Sequence, residues 1–528
     1  MTVASYADTL LRDAAARWSE REALVHHGRR WSYARLRRAT LECATVLRSL
    51  PVEPGESVAI LSGNRPEFVA VQLAVHLIGF RLLLIRPSMP RRDMERHMRG
   101  SRSAVLVFEA AHADTARALS GWSRHLLSLG PGTDDEPLFP HHEVGSVHGP
   151  VTDAGSDRVR TVLFTGGTTG ESRRVVHSHG LYDSLRALVG SEGLATPGER
   201  RLVCTPLAHV SGHFVLPTLM SGGTLVLHDA FDPAEVLREI AAERIETLLL
   251  YTGFLERLLN DPGLSRADCS TLRRIGYGAD PTDPRLLRRA MDHFGPVMQQ
   301  LYGLTEAGVV SLLQPADHDL ERPGLLTSAG RPAPGVSVEI RDGSRRAVAP
   351  GEVGQIWARG PGVMDGYDDL PETEQPLDDG WLLTGDLGYF GAAGHLFVLD
   401  READAIVHGG TGQSVSPAQV TGALLDHPAV VSAAVFGTPL PGGGESVCAV
   451  VVPVEGARLD PDDVRAHVLV LLGRPHMVPD RVDMVARLPR TALGKVDRVA
   501  LRRAVADEKG QLSRAVVRDS HTSRPGPS

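Results

Sequence analysis

The residues with the most chemistry to offer begin at Phe164-Thr165-Gly166-Gly167-Thr168-Thr169-Gly170. Glycines let backbone N–H groups come close to anionic oxygens and threonine hydroxyls add donors, so the segment suits a polyphosphate. A Gly/Thr hairpin turn would use the same residues. No Gly-Lys-Ser/Thr follows, which sets the segment apart from a Walker A loop. His209 and His213 stand four apart, the spacing of a helical metal pair, but no His-Glu-x-x-His pattern accompanies them and Gly212 weakens a helix between them, which argues against zinc. Asp386, Arg401 and Lys495, each in or beside a turn, read on composition alone as solvated side chains. The doublets His26-His27 and His141-His142 read as solvated loop residues.

Further groups follow in order along the chain: Val176-His177-Ser178-His179, Pro206-Leu207-Ala208-His209, Gly276-Tyr277-Gly278-Ala279, Tyr302-Gly303-Leu304-Thr305-Glu306, Thr384-Gly385-Asp386, Asp400-Arg401 with Asp404, and Leu488-Pro489-Arg490-Thr491 with Gly494-Lys495. Each alone is a weak signal; in this order they are a strong one. The whole chain resembles the adenylate-forming superfamily of acyl-CoA synthetases, peptide-synthetase adenylation domains and luciferases, and Phe164 to Gly170 resembles its phosphate loop. The resemblance implies that a carboxylate attacks the α-phosphorus of ATP while magnesium pyrophosphate leaves, so the site must neutralise growing charge. It implies that Thr165, Gly166, Gly167, Thr168, Thr169, Gly170 and Arg173 surround the phosphates, that Thr305 meets the α-phosphate, and that Glu306 binds Mg2+ through a hard oxygen. It places Tyr302, Gly278 and Ala279 around adenine, Asp386 on the ribose hydroxyls with Arg401 assisting, and His209 beside the acid pocket. Lys495 is the first catalytic candidate, reaching from a C-terminal turn into the large domain. His177 and His179 are expected to be structural neighbours of the phosphate loop.

The departures from the family pattern fall mostly on the acceptor half of the reaction. Ser172-Arg173-Arg174 replaces the usual Pro-Lys-Gly surroundings of the phosphate-loop lysine, keeping charge but changing geometry. Ala403 stands at the hinge where relatives carry Asp or Lys. The stretch 407–416, containing His408-Gly409-Gly410-Thr411-Gly412, is two residues longer than usual, and Gln419 and Thr421 replace an acidic pair. No Asp near His209 is available for a substrate amine, which disfavours an α-amino acid, and Leu301 adds bulk to the pocket wall. The expected substrate is a small aryl or short acyl acid, and the expected acceptor is a thiol: coenzyme A or a phosphopantetheine carrier. Capture by another nucleophile, including activation of nitrite, and a non-catalytic nucleotide-binding relative are the alternatives. The intact Glu306, Asp386, Arg401 and Lys495 argue against the last.

These residues need a scaffold, and 528 residues are too many for one ordinary core. A hydrophobic fraction of 42% and a charged fraction of 23% describe an ordered globular chain, and a net charge of -8 gives no nucleic-acid footprint. Four scattered cysteines encode neither a disulfide framework nor a zinc site. The N-terminus carries no signal-like pattern and the most apolar run, Leu73 to Ile85, is broken by His76 and Arg81, so a cytoplasmic protein without a membrane span is expected. Apolar runs such as Val58 to Leu61, Ala104 to Phe108, Val162 to Phe164 and Thr247 to Leu250 alternate with helical stretches such as Glu67 to Leu77 and Pro233 to Glu243, the latter capped by Asp232. The expected fold is α/β: a large, multi-layered AMP-binding domain over residues 1–400, closed by a β-rich part between Gly351 and Leu399, and a small, mobile α+β lid over residues 401–510. In the lid, Pro428 to Phe436 and Ser446 to Pro453 are expected strands and Asp460 to Leu472 a helix. Residues 511–528 are polar and expected to be a disordered tail.

Overall fold

The computed structural model describes residues 4–506 apart from Pro54, 131–135, 139–153, 156–157, 166–171, 190–193, Val210, Pro281, 372–373 and 491–495. The expected phosphate-loop residues Gly166 to Gly170, the Lys495 turn, His141-His142 and the tail 511–528 lie outside the described residues.

Among these, nine strands form one sheet. Its parallel centre runs Glu22–His26, Thr224–Leu227, Arg200–Val203, Thr247–Tyr251, Arg274–Gly278, Met298–Leu304, with antiparallel strands at both ends. A second sheet of eight strands has the parallel centre Arg160–Phe164, Arg81–Ile85, Ser57–Leu61, Ser103–Phe108, His125–Ser128. Strand periodicity explains how one run serves two cores. Val58 and Ile60 face inward, into a core shared with Leu24 and Leu225 of the other sheet. Ala59 and Leu61 face outward, onto Met94 and Met98 of the helix Arg91–Gly100. The helix Pro66–Leu77 is buried along its whole length within the shared core, which is why its sequence is apolar on nearly every side rather than on one stripe. The outer face of the nine-stranded sheet is covered by Pro233–Ala242, Thr252–Leu259 and Pro284–Phe294. Asp232 caps the first of these, its carboxylate accepting from the Glu235 N–H at 2.9 Å, as its place before Pro233 predicts.

The β-rich part is a five-stranded antiparallel sheet built from Ser337–Arg341, Gly354–Arg359, Trp381–Phe390, Leu377–Asp378 and Leu396–Arg401. Beyond it, Val430–Pro439, Glu445–Pro453 and Arg481–Met484 form a separate three-stranded sheet with its own core, flanked by the helices Pro417–Asp426 and Pro461–Leu472. The expected strands and helix of the small unit are thus found within two or three residues of their predicted limits. No helix among the described residues is long and apolar enough to cross a membrane, and the four cysteines are unpaired.

Candidate active site

Parallel sheets leave their carboxyl ends free, and the candidate residues gather on or just after those ends. Tyr251 and Gly278 end adjacent strands in register, and Gly278 stands opposite Leu301 of the next strand. A Cβ on Gly278 would lie 2.3 Å from the Leu301 carbonyl oxygen, so only glycine allows this approach. Ala279 follows with φ of 73°, a left-handed conformation that costs a non-glycine residue on the order of 1 kcal/mol.

Tyr302 lies on the strand after that. Its hydroxyl donates to Asp386 Oδ2 at 2.6 Å, and burial followed by the neighbouring negative charge of Asp386 keeps the phenol protonated well above its ordinary range. Asp386 stands directly opposite Arg401 in an antiparallel pair, and Arg401 Nε contacts Asp386 Oδ1 at 2.8 Å. Asp386 is buried while Arg401 is largely exposed, so the carboxylate is fixed and its cation lies toward solvent. Loss of water where the guanidinium meets the buried carboxylate works against its charge, but Asp386 and Glu306 outweigh that and the charged form of Arg401 is favoured. Within the strand Trp381–Phe390 the backbone at Asp386 is held by the Thr384 hydroxyl, which accepts from the Asp386 N–H at 3.1 Å and donates to the Ile356 carbonyl at 2.8 Å.

Thr305 and Glu306 sit in the turn between Met298–Leu304 and Gly308–Leu313. The Thr305 carbonyl accepts from His177 Nε2 at 2.6 Å; His177 is buried and neutral, burial lowering its pKa. That carbonyl can only accept, so the proton is on Nε2. Glu306 Oε1 accepts from the Tyr367 hydroxyl at 2.7 Å and forms no ion pair among the described residues. A carboxylate with one neutral hydrogen-bond partner has its other lone pairs open, which fits a hard divalent ion such as Mg2+. Tyr367 is in turn fixed by Gln375, whose side chain bonds both the N–H and the carbonyl of Tyr367, at 2.7 and 2.9 Å.

Thr165 and Arg173 close the base of the segment 166–171. The Arg173 N–H donates to Thr165 Oγ1 at 2.9 Å and the Thr165 N–H to the Arg173 carbonyl at 3.2 Å. The flanking strands Arg160–Phe164 and Arg174–Ser178 are antiparallel neighbours, with Phe164 opposite Arg174. The glycine-threonine segment therefore connects two antiparallel strands. Arg173 faces Asp369 at 3.9 Å.

His209 Nδ1 lies 2.9 Å from the Tyr251 hydroxyl. The helix Gly212–Met220 starts only after His209, so His209 and His213 do not share a helix face, and the rejected metal pair has no structural basis. Burial pushes the pKa of His213 down to about 4. The segment leading to His209 is tied down by buried Asn64: its side-chain N–H groups reach the Thr205 and His228 carbonyls at 3.0 and 2.9 Å and its Oδ1 accepts from the Leu207 N–H at 2.8 Å. Sequence reasoning missed Asn64, Tyr251 and Tyr367. Tyr367 is 61 residues from Glu306 in a two-residue strand, and nothing local marks it. The reading of His26-His27 as solvated loop residues holds for His27, an exposed turn residue, and is corrected for His26, which ends a strand, is buried, and with His27 holds Asp229.

The Lys495 segment is bracketed by an antiparallel bridge between Arg490 and Val496. Arg490 Nη2 contacts Glu256 Oε2 at 2.8 Å, on the helix Thr252–Leu259 that begins right after Tyr251.

Comparison with known proteins defines the class. Residues 11–368 match the model of the AMP-binding enzymes and residues 419–495 that of the AMP-binding enzyme C-terminal domain. The chain belongs to the AMP-binding enzyme family and is an adenylate-forming ligase. It is 35% identical over 492 residues to a feruloyl-CoA synthase of an Amycolatopsis species, covering 91% of this chain and 95% of the relative. Among solved structures it resembles the amide bond synthetase McbA from Marinactinospora thermotolerans, with a TM-score of 0.84, 36% identity, and coverage of 94% of this chain and 99% of that one. It also resembles ATP-bound MatB from Rhodopseudomonas palustris, with a TM-score of 0.85, 27% identity, and coverage of 96% and 99%.

Proposed function

We propose that this chain uses ATP to activate a small carboxylic acid without an α-amino group, aryl or short acyl, and passes the acyl group to a thiol, with coenzyme A as the leading acceptor. In the first step a carboxylate oxygen of the acid bonds to the α-phosphorus of ATP and the bond to pyrophosphate breaks. In the second the thiolate sulfur bonds to the acyl carbon, AMP leaves, and the thiol proton goes to solvent.

The observation that carries this reading is Asp386, an acceptor-only carboxylate held from two sides by Tyr302 and Arg401. In the proposed complex its oxygens take the ribose hydroxyls, with Gly278 and Ala279 against the base. Thr305 and the loop from Thr165 to Gly170 take the phosphates, and Lys495 bridges the acid and the α-phosphate. Glu306 would hold Mg2+, which neutralises charge on the departing pyrophosphate. His209 and Tyr251 line the acid pocket, and the sequence Val210-Ser211-Gly212-His213-Phe214 after His209 supplies no carboxylate for a substrate amine. The AMP-binding domain is taken as residues 1–400 and the lid as 401–510.

A second acceptor reading has its own support: the attacking atom is an amine nitrogen and the product an amide. Ala403, the longer stretch 407–416, Gln419 and Thr421 all change the part that shapes the acceptor step, and the chain is similar to an amide bond synthetase over 94% of its length. The test is a pyrophosphate-release screen over aryl and short acyl acids and nitrite, followed by product analysis with coenzyme A, a phosphopantetheine carrier or simple amines. Acid-dependent release with a thioester product supports the main reading, an amide supports the second, and no release with any acid overturns both.

A further inference from the structure

The strand Glu22–His26 turns back on Arg29–Ser32 through only two residues, His27 and Gly28, with His26 opposite Arg29. Both turn residues have positive φ, 47° at His27 and 73° at Gly28, the conformation of a tight type I′ hairpin. This matters for the two histidines. Successive side chains of an extended strand point to opposite faces. The left-handed turn at His27 instead swings its ring beside that of His26, with ring centroids 4.3 Å apart.

Both imidazoles then meet one carboxylate. His26 Nε2 lies 2.8 Å from Asp229 Oδ1 and His27 Nε2 lies 2.8 Å from Asp229 Oδ2. Asp229 follows the strand Thr224–Leu227, the parallel neighbour of Glu22–His26, so two elements about 200 residues apart in sequence, separated by 203 and 202 positions, converge on one point. The three ligand atoms lie within 4.8 Å of one another, and this is the only such group of His, Cys, Asp and Glu among the described residues. His26 is buried, while His27 and Asp229 are 67% and 62% exposed, which leaves an open side for entry and for water. The nearby cation Arg65 is already matched by Glu109 at 2.8 Å and Glu67 at 3.4 Å.

We propose that His26, His27 and Asp229 form a binding site for a divalent ion of the zinc class, separate from the nucleotide site. Two imidazoles and one carboxylate are the donor set that Zn2+, Ni2+ and Cu2+ favour and Mg2+ does not. Side-chain rotations that part each Nε2 from its carboxylate oxygen bring the donors to the Zn–N and Zn–O distances of about 2.0–2.2 Å around one ion. The ion takes the place now held by the links from each Nε2 to the carboxylate: each ring binds as the neutral tautomer with its proton on Nδ1, and water completes the coordination. The bound ion ties the hairpin tip to the strand Thr224–Leu227.

The experiment titrates Zn2+ into tag-free, full-length protein against a chromogenic chelator, with excess Mg2+ and no ATP. It compares wild type with H27N, D229N and the control H293A. Asparagine at 27 tolerates the left-handed turn, and asparagine at 229 keeps the side-chain shape, so both variants should fold. One Zn2+ per chain is expected in wild type and in H293A. Each of H27N and D229N should lose at least the roughly 10–100-fold in affinity that loss of even an outer-shell partner costs. Zn2+ should also raise the unfolding temperature of wild type and not that of either variant. Absence of Zn2+ binding in wild type, or undiminished binding in either variant, overturns the proposal. Neither result depends on adenylation, since no acid or nucleotide is present.

Discussion

Asp386 is gripped by Tyr302 and Arg401, whereas the Glu306 carboxylate accepts from the Tyr367 hydroxyl and forms no direct ion pair among the described residues. Two carboxylates on neighbouring elements are thus prepared for different partners, one for hydroxyl donors and one for a metal. Replacing Asp386 by Asn removes the charge while keeping the shape, and the amide offers Arg401 a donor in place of one acceptor oxygen. A hydrogen bond to a charged group contributes about 1.5–3 kcal/mol, so KM for ATP should rise roughly 10–100-fold with KM for the acid little changed. Steady-state kinetics with each substrate varied in turn measures both, and an equal rise in the two constants would refute the ribose assignment. Lys495 rests on the resemblance alone, with its neighbours Arg490 and Val496 joined by a bridge that brackets it. Lys495→Ala should slow adenylate formation by about 10²–10³, as loss of one transition-state donor does, with little change in thermal stability. Pyrophosphate exchange at the wild-type rate would remove Lys495 from the chemistry.

At the scale of elements, what the sequence made legible followed from local rules. The strand Ser57–Leu61 and the capped helix Pro233–Ala242 are written in apolar periodicity and in Asp232-Pro233, and both formed where expected. What stayed illegible is pairing across long separations: Asn64 with Leu207, Tyr367 with Glu306, His26 and His27 with Asp229. Each depends on tertiary register that no window of sequence contains. The stretch 407–416 has a defined form. Ile406–Val407 pairs with Ser414–Val415, the residues between them turn on His408, whose carbonyl accepts from the Gly412 N–H at 2.7 Å, and Gly409 donates to the Glu445 carbonyl at 2.9 Å. The loop thus rests on the small unit's own sheet. Deleting Thr411 and Gly412 should leave pyrophosphate exchange within a few-fold of wild type and change transfer to the acceptor by a larger factor. Single-turnover formation of adenylate and of final product separates the two, and equal loss in both would assign the loop to folding. Asp400 makes a second element-scale prediction. It accepts from the Ser416 hydroxyl and from the Ala418 N–H at 3.1 Å, fastening the end of the β-rich sheet to the start of the helix Pro417–Asp426. Burial raises its pKa to about 6 against the pull of those hydrogen bonds. The folded protein therefore keeps a proton that the unfolded chain loses near pH 4. The resulting stability is full below about pH 4 and is lost as pH rises through 6, by roughly 3 kcal/mol at most. Asp400→Asn, which carries no proton to lose, should gain stability relative to wild type across that window, as measured by paired unfolding curves. A constant difference from pH 4 to 7 would rule out this titration.

At the scale of the whole molecule, the two units touch through a few polar contacts near the candidate site. Arg285 Nη2 donates to the Val430 carbonyl at 3.4 Å, and Arg490 contacts Glu256 at 2.8 Å. The second contact carries more consequence. Glu256 is on the helix that begins after Tyr251, and Tyr251 bonds His209, so the clasp ties Arg490, five residues before Lys495, to the helix that starts beside the proposed acid pocket. If the small unit takes one pose for adenylation and another for transfer, this contact belongs to the first, and its energy shifts the balance between them without entering the chemistry. Arg490 and Glu256 are each about one-third exposed, so the pair is partly screened and contributes on the order of 0.5–1 kcal/mol, a population change of roughly two- to five-fold. Glu256→Gln should therefore slow pyrophosphate exchange by about that factor, more at low salt than at high salt, because screening already weakens the wild-type pair. Transfer from adenylate already formed on the enzyme should proceed at the wild-type rate or faster, since the competing pose has lost support. Rapid-mixing measurements of the two half-reactions over a range of ionic strength provide the check. A slower transfer step, or a salt-independent loss in exchange, would show that Glu256 supports the acid pocket itself rather than the pose of the small unit.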